Sequence, residues 1–148
     1  MYHNVLDTIG NTPLVPINHM SPNPNVQIFA KLEGFNPTGS IKDRIALRMV
    51  EQAEADGSLT PGKTIIEATS GNTGIGLAMI GTVKGYEVVI VMSEAVSIER
   101  RRMIEAFGGR IVLTPAGEGT DGAIRRTAEL IAENPEKYFN PNQFTNVY

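Results

Sequence analysis

The sequence predicts an α/β fold, a parallel sheet with helices on both faces. Two observations lead there. From residue 42 onward, short apolar runs alternate with stretches of helical period, the order that builds parallel strands joined by crossover helices. The two central runs, 64–68 and 88–92, are nearly continuous in apolar residues rather than alternating, as strands covered on both faces are. Crossovers in such a sheet are right-handed, and ligands bind beyond the carboxyl ends of its strands. The loop after the first of these strands is therefore where a site is expected.

In chain order, Asp7 to Val15 holds Gly10-Asn11 and Pro13, turn residues ahead of a short extended piece. Ser21 to Asn25 reads as a loop. Val26, Ile28, Ala30 and Leu32 then alternate with Gln27, Phe29, Lys31 and Glu33, the period of a strand with one more apolar face. Ile45, Ala46, Met49, Val50 and Ala53 recur at the spacing of one buried helical face, and that helix ends near Asp56-Gly57. A turn at Pro61-Gly62 leads into the strand 64–68. Thr69 to Gly74 opens a second helix that stops at Lys84-Gly85, a cation followed by a capping glycine. After the strand 88–92, a third helix starts near Ser97, with Glu99 in its first turn and Met103, Ile104 and Phe107 inward, and stops at Gly108-Gly109. Ile111-Val112-Leu113 is the next strand. Pro115 to Gly119 leads to a fourth helix with Ala123, Ile124, Thr127, Ala128 and Ile131 on one side and Asn134-Pro135 beyond its end.

Two loops carry chemistry. Asn36 to Arg44 runs straight into the first helix, with Ser40 as the N-cap and Lys42 in the first turn. Unpaired backbone N–H groups and the positive end of the helix dipole disfavour a second positive charge there, which favours the neutral amine that attacks an aldehyde or removes a carbon-bound proton. The alternative is a solvated lysine balanced by Asp43. The second loop is Thr69-Ser70-Gly71-Asn72-Thr73-Gly74. Its strand-to-helix setting makes an anion cradle of its N–H groups, its glycines admit close approach, and its side chains add donors. The alternative is an ordinary, well-capped helix start. Its glycines match neither the dinucleotide nor the P-loop spacing. A lysine beside a carboxylate-holding loop is the minimum equipment for imine chemistry on an amino acid.

Composition narrows the field. A chain of 148 residues is long enough for one domain with a core, burying roughly 70% of its unfolded surface. No apolar run approaches the roughly 20 residues of a membrane helix, and the N-terminus has no signal-peptide pattern, so a cytoplasmic protein is expected. A net charge of -3 offers nucleic acid no general attraction. The one basic cluster, Arg100-Arg101-Arg102, lies between Glu99 and Glu105 and reads as a solvated helix face, or else as an anion or acidic-partner site. With no cysteine there is no disulfide, zinc thiolate or cysteine nucleophile, and His3 and His19 lack the i, i+4 spacing of a helical metal pair.

Asp7 to Val15, Pro37 to Arg44, Glu67 to Gly74 and Asn142-Gln143-Phe144 stand in the order and approximate spacing of the cysteine synthase family, the O-acetylserine sulfhydrylases. The chain resembles that family along its whole length. Ser97 to Arg101 is similar to its cysteine synthase branch, with cystathionine β-synthase a close relative. The resemblance implies a fold type II pyridoxal phosphate enzyme that makes L-cysteine from O-acetylserine and sulfide. Lys42 would carry the cofactor and Asn72 would hydrogen-bond its ring oxygen. Thr69, Ser70, Asn72, Thr73 and Gln143 would bind the substrate carboxylate, and Lys42 would remove the Cα proton before sulfide replaces the β-substituent.

It also implies a division of the chain. Residues 1–37 would be an arm of the large domain, 38–145 the small mobile domain, and 146–148 the start of the large-domain remainder. Val147 stands where many members have proline. In the family, the glycine-rich loop for the cofactor phosphate and the residue facing the pyridine nitrogen follow the Gln143 motif. The 148 residues alone are therefore expected to be weakly active or inactive. A non-catalytic truncated domain and a cystathionine-type β-replacement are the alternatives. A homodimer, and serine acetyltransferase as a partner, complete what the resemblance implies.

Overall fold

The computed structural model describes residues 1–146, so that Val147 and Tyr148, and with them most of the expected 146–148 segment, lie outside the described residues. Ten elements follow in order: β1 (Leu14–Pro16), β2 (Phe29–Lys31), α1 (Lys42–Asp56), β3 (Thr64–Ala68), α2 (Asn72–Lys84), β4 (Glu87–Ser93), α3 (Ile98–Ala106), β5 (Arg110–Thr114), α4 (Gly119–Glu133) and β6 (Tyr138–Phe139). The central sheet has the order β5-β4-β3-β6, and every pairing in it is parallel. Ile66 lies opposite Val89, Val91 opposite Val112, and Ile65 opposite Phe139.

Helices cover both faces, as the apolar runs require. On one face Ile65, Val88, Ile90 and Met92 pack with Ala46, Val50, Ala78, Ile80 and Ile104 from α1, α2 and α3. On the other, Ile66, Ala68, Val89 and Val91 meet Ala123, Leu130 and Ile131 of α4. A fully buried isoleucine or leucine contributes about 1.5–3 kcal/mol, so the shared strands β3 and β4 anchor both cores. α1 and α2 stop where Gly57 and Gly85 adopt φ of 80° and 83°, the left-handed conformation that ends a helix.

Several details depart from the sequence reading. The strand expected over 26–32 is only β2, and it pairs antiparallel with β1 in a separate two-stranded sheet; without a covering layer, its alternation has no face to bury. α3 buries Ile104, leaves Phe107 half-buried and Met103 41% exposed, because a nine-residue helix over an edge strand buries only a narrow stripe. In α4, Ala123 and Thr127 face the sheet, while Ile124 and Ala128 are turned aside and exposed. They line an apolar groove of about 440 Å³ with Ile131, Pro135 and Phe144. β6, two residues long, has no periodicity that could announce it.

The segment before α1 is tied down by charge. Arg44 donates through Nε to Glu33 Oε2 at 2.7 Å and through Nη2 to Oε1 at 3.0 Å, and Nη2 also reaches the Thr12 hydroxyl at 3.1 Å. Thr12 and Asn36 donate to the same carboxylate, and Asn36 Oδ1 accepts from Gly10 N–H at 2.8 Å. This set of donors, led by Arg44, holds Glu33 down at a pKa of about 2.

Candidate functional site

The approach to Lys42 is built by Ser40 and Asp43. Ser40 Oγ accepts from Lys42 N–H at 3.1 Å, so the serine caps as expected, although Ile41, already helical, occupies the residue before α1. Asp43 does not balance Lys42. Its side chain is fully buried and accepts from Thr38 N–H at 2.8 Å and from the Thr38 hydroxyl. That inward anchor leaves Lys42 exposed at the start of α1, and among the described residues Lys42 Nζ has no hydrogen-bond or ion-pair partner.

Two glycines bring the donor loop to the lysine. A Cβ on Gly76 would lie 3.3 Å from Ala46 Cβ and 3.3 Å from Asp43 Oδ1, so the bare backbone of α2 sits against the first turns of α1. A Cβ on Gly74 would lie 2.9 Å from Thr69 Cγ2 and 3.2 Å from Ile90 Cγ2, so α2 is also pressed onto the sheet just behind the loop. The residue before α2, Gly71, has an extended φ of -118° and offers no side-chain cap. Among the described residues, no side chain takes the leading N–H groups of α2, so this helix start carries no side-chain cap.

The result is one cleft of about 370 Å³ at the carboxyl end of β3. It brings together all six sequence candidates: Lys42, Thr69, Ser70, Asn72, Thr73 and Gln143. Thr69 and Thr73 are buried, Ser70 and Gln143 half-buried, and Asn72 exposed. Thr120 and Phe144 also line it and were not foreseen: Thr120 comes from the start of α4 and Phe144 follows Gln143. Arg100, on α3, donates from its guanidinium to the Ser70 carbonyl at 2.9 Å, while Arg101 donates to the carbonyls of Val96 and Glu94. The basic cluster is thus partly spent on holding loops.

Glu67 is the residue that local sequence patterns missed. It is 2% exposed, within the otherwise apolar strand β3, and its Oε2 accepts from Gln143 N–H at 3.4 Å. Burial pushes its pKa up to about 7, against the opposing pull of the backbone N–H groups of Gln143, Asn142 and Ala68. A charged residue inside an apolar strand was the available signal.

A parallel α/β sheet with an exposed lysine amine and a donor-rich loop lining one cleft is an arrangement with room for a small anion beside an amine. The family described as "Pyridoxal-phosphate dependent enzyme" matches residues 5–148, and the chain belongs to it. Among its relatives, a cysteine synthase of a Flavobacterium strain is 54% identical over 98% of this chain and 47% of its own length. One from Staphylococcus aureus is 48% identical over 97% and 46%. An O-acetylserine sulfhydrylase isoform from Entamoeba histolytica superposes with a TM-score of 0.93 at 51% identity, over 99% of this chain and 45% of that one. An O-ureido-L-serine synthase does so at 0.91 and 45% identity, over 99% and 45%. The chain thus spans about half the length of the relatives it matches. Among the described residues, no helix is long and apolar enough to cross a membrane.

Proposed function

We propose that this chain supplies the lysine and carboxylate-binding side of a cysteine synthase site, for a β-replacement that turns O-acetyl-L-serine and sulfide into L-cysteine and acetate. The observation that carries the reading is the single cleft in which Lys42 meets the uncapped head of α2 and Gln143. These residues fit pyridoxal phosphate: an exposed, unpartnered amine suits its aldehyde, and Asn72, at the start of α2, suits its ring oxygen. When bound, the cofactor supplies the electron sink that makes a Cα–H bond of an amino acid acidic. Lys42 Nζ would hold the cofactor and then take the Cα proton, both as the neutral amine. Thr69, Ser70, Asn72, Thr73, Gln143 and the leading N–H groups of α2 would bind the substrate carboxylate, which fixes the Cα–H bond toward the lysine.

By kinship we assign residues 1–37 to an arm of a larger domain and 38–145 to a smaller mobile one. The working form is proposed as a cytoplasmic homodimer, with serine acetyltransferase as a partner. The 148 residues alone are proposed to turn over far more slowly than the relatives. A second reading, β-replacement on another O-activated serine, is favoured by the likeness to O-ureido-L-serine synthase.

Borohydride trapping after incubation with pyridoxal phosphate, with peptide mapping across the five lysines, tests the assignment of Lys42. A stoichiometric adduct on Lys42, with Lys31, Lys63, Lys84 and Lys137 nearly clean, is expected. Adducts spread evenly over all five would refute it.

A further inference from the structure

We infer that Glu67 is a positioning residue for the substrate carboxylate: from inside β3 it holds the backbone of Gln143 and so aims the Gln143 side chain into the cleft. The inference rests on the proposed function, since it needs that cleft to take an amino-acid carboxylate. Its basis is where the chain goes after β6. The register between β3 and β6 ends at Ile65 opposite Phe139, and the chain then leaves the edge of the sheet. The next link back to β3 is Gln143 N–H to Glu67 Oε2 at 3.4 Å. Among the described residues, the Asn142 N–H also bears on the Glu67 carboxyl while it donates to Asn140 Oδ1, and the N–H groups of Thr145 and Asn146 turn inward to the Asn142 carbonyl. Asn142 itself has φ 49°, the left-handed conformation that asparagine adopts more readily than most residues, and it turns the chain toward β3 there. The Gln143 wall of the cleft is therefore tied back to β3 through one buried carboxyl, which the N–H groups of Gln143 and Asn142 both approach.

The chemistry of β3 supports the assignment. Ile65, Ile66 and Ala68 show that an apolar side chain satisfies this strand, and burying a carboxyl instead is costly unless it is hydrogen-bonded. Glu67 also lines the apolar groove beside α4, where Phe144 borders both cavities. Two residues beyond it, just past the end of the same strand, Thr69 lines the cleft that Gln143 also lines. One strand thus carries Thr69 and, through Glu67, the Gln143 turn.

The test uses the 148-residue chain labelled with nitrogen-15 and O-acetyl-L-serine as probe, with dissociation constants read from the amide shifts of residues 69–73. Glu67→Met, apolar and of similar volume, is expected to weaken binding about tenfold, the equivalent of one hydrogen bond to a charged group. Glu67→Gln, whose amide oxygen still accepts from Gln143 N–H, should restore affinity to within about twofold of the unaltered chain. Combining Glu67→Met with Gln143→Ala should lose no more than either change alone, because both act through one side chain. Unchanged binding in Glu67→Met, or losses that add in the double variant, would overturn the positioning role alone. No shift of the 69–73 amides in the unaltered chain would overturn the carboxylate reading, and this inference with it. Should Glu67→Met fail to fold, hydrogen exchange of the unaltered chain decides: a Gln143 amide no better protected than that of Phe144 overturns the role.

Discussion

Replacing Glu67 with glutamine keeps the shape of a side chain that is 2% exposed and removes its titration. In the folded chain burial raises the Glu67 pKa from 4.5 to about 7. Between those values the folded chain holds a proton that the unfolded chain has released. Stability from this group is therefore complete below the unfolded value and declines as pH rises through the folded one. A shift of that size corresponds to about 3 kcal/mol, withdrawn from the native chain by about pH 8. Glutamine does not titrate, so the variant should gain on the native chain by about 3 kcal/mol between about pH 4 and pH 8. Urea unfolding of both proteins at stepped pH measures this. Comparing the two at each pH cancels every other titrating group, and the linear extrapolation supplies the free energies. Two stability curves that run parallel across this range would refute the reasoning, because they would mean that Glu67 titrates alike in the folded and unfolded chains.

Gly74→Ala should destabilise the chain by about 1–2 kcal/mol, the overpacking against Thr69 and Ile90 exceeding the helix-propensity gain; a urea midpoint unchanged from the native chain would count against the close packing of α2 on the sheet. Arg44→Ala should speed hydrogen exchange across residues 1–16 at neutral pH. Because Glu33 has a depressed pKa, its contribution is present above the ordinary value of 4.5 and fades as pH falls toward 2, so variant and native chain should converge on acidification; equal exchange at neutral pH would contradict the tie. The exposed Leu14, Val26, Ile28 and Phe29, with the groove beside α4, should make the isolated chain self-associate as concentration rises; static light scattering that stays at monomer mass would argue otherwise.

Much of the fold was legible because it is local. Strand β3 is an apolar run bounded by Pro61-Gly62 and by Thr69-Ser70-Gly71, and α2 ends at a lysine and a glycine, so their limits were marked by residue type. The place of the loop 69–74 followed from where parallel sheets bind ligands, whereas Lys42, which follows no strand of that sheet, was joined to it by the chemistry of its side chain and by resemblance. What escaped depends on contacts between distant residues. Glu67 and Gln143 are 76 positions apart, and no periodicity connects them. Gln143 entered the candidate set through resemblance alone. Ile124 and Ala128 belong to an apolar face of α4 wider than the stripe the sheet covers, and a helical period cannot say which half of such a face is buried.

Two parts of this molecule are fastened by different physics. The arm before α1 is held by an arginine–glutamate pair, an attraction that salt screens and acid abolishes. The spacing between Lys42 and the head of α2 is set where a β-carbon is missing, at Gly74 and Gly76, and excluded volume responds to neither ionic strength nor proton concentration. A change of solvent that loosens the periphery therefore leaves Lys42 and the head of α2 at the same separation.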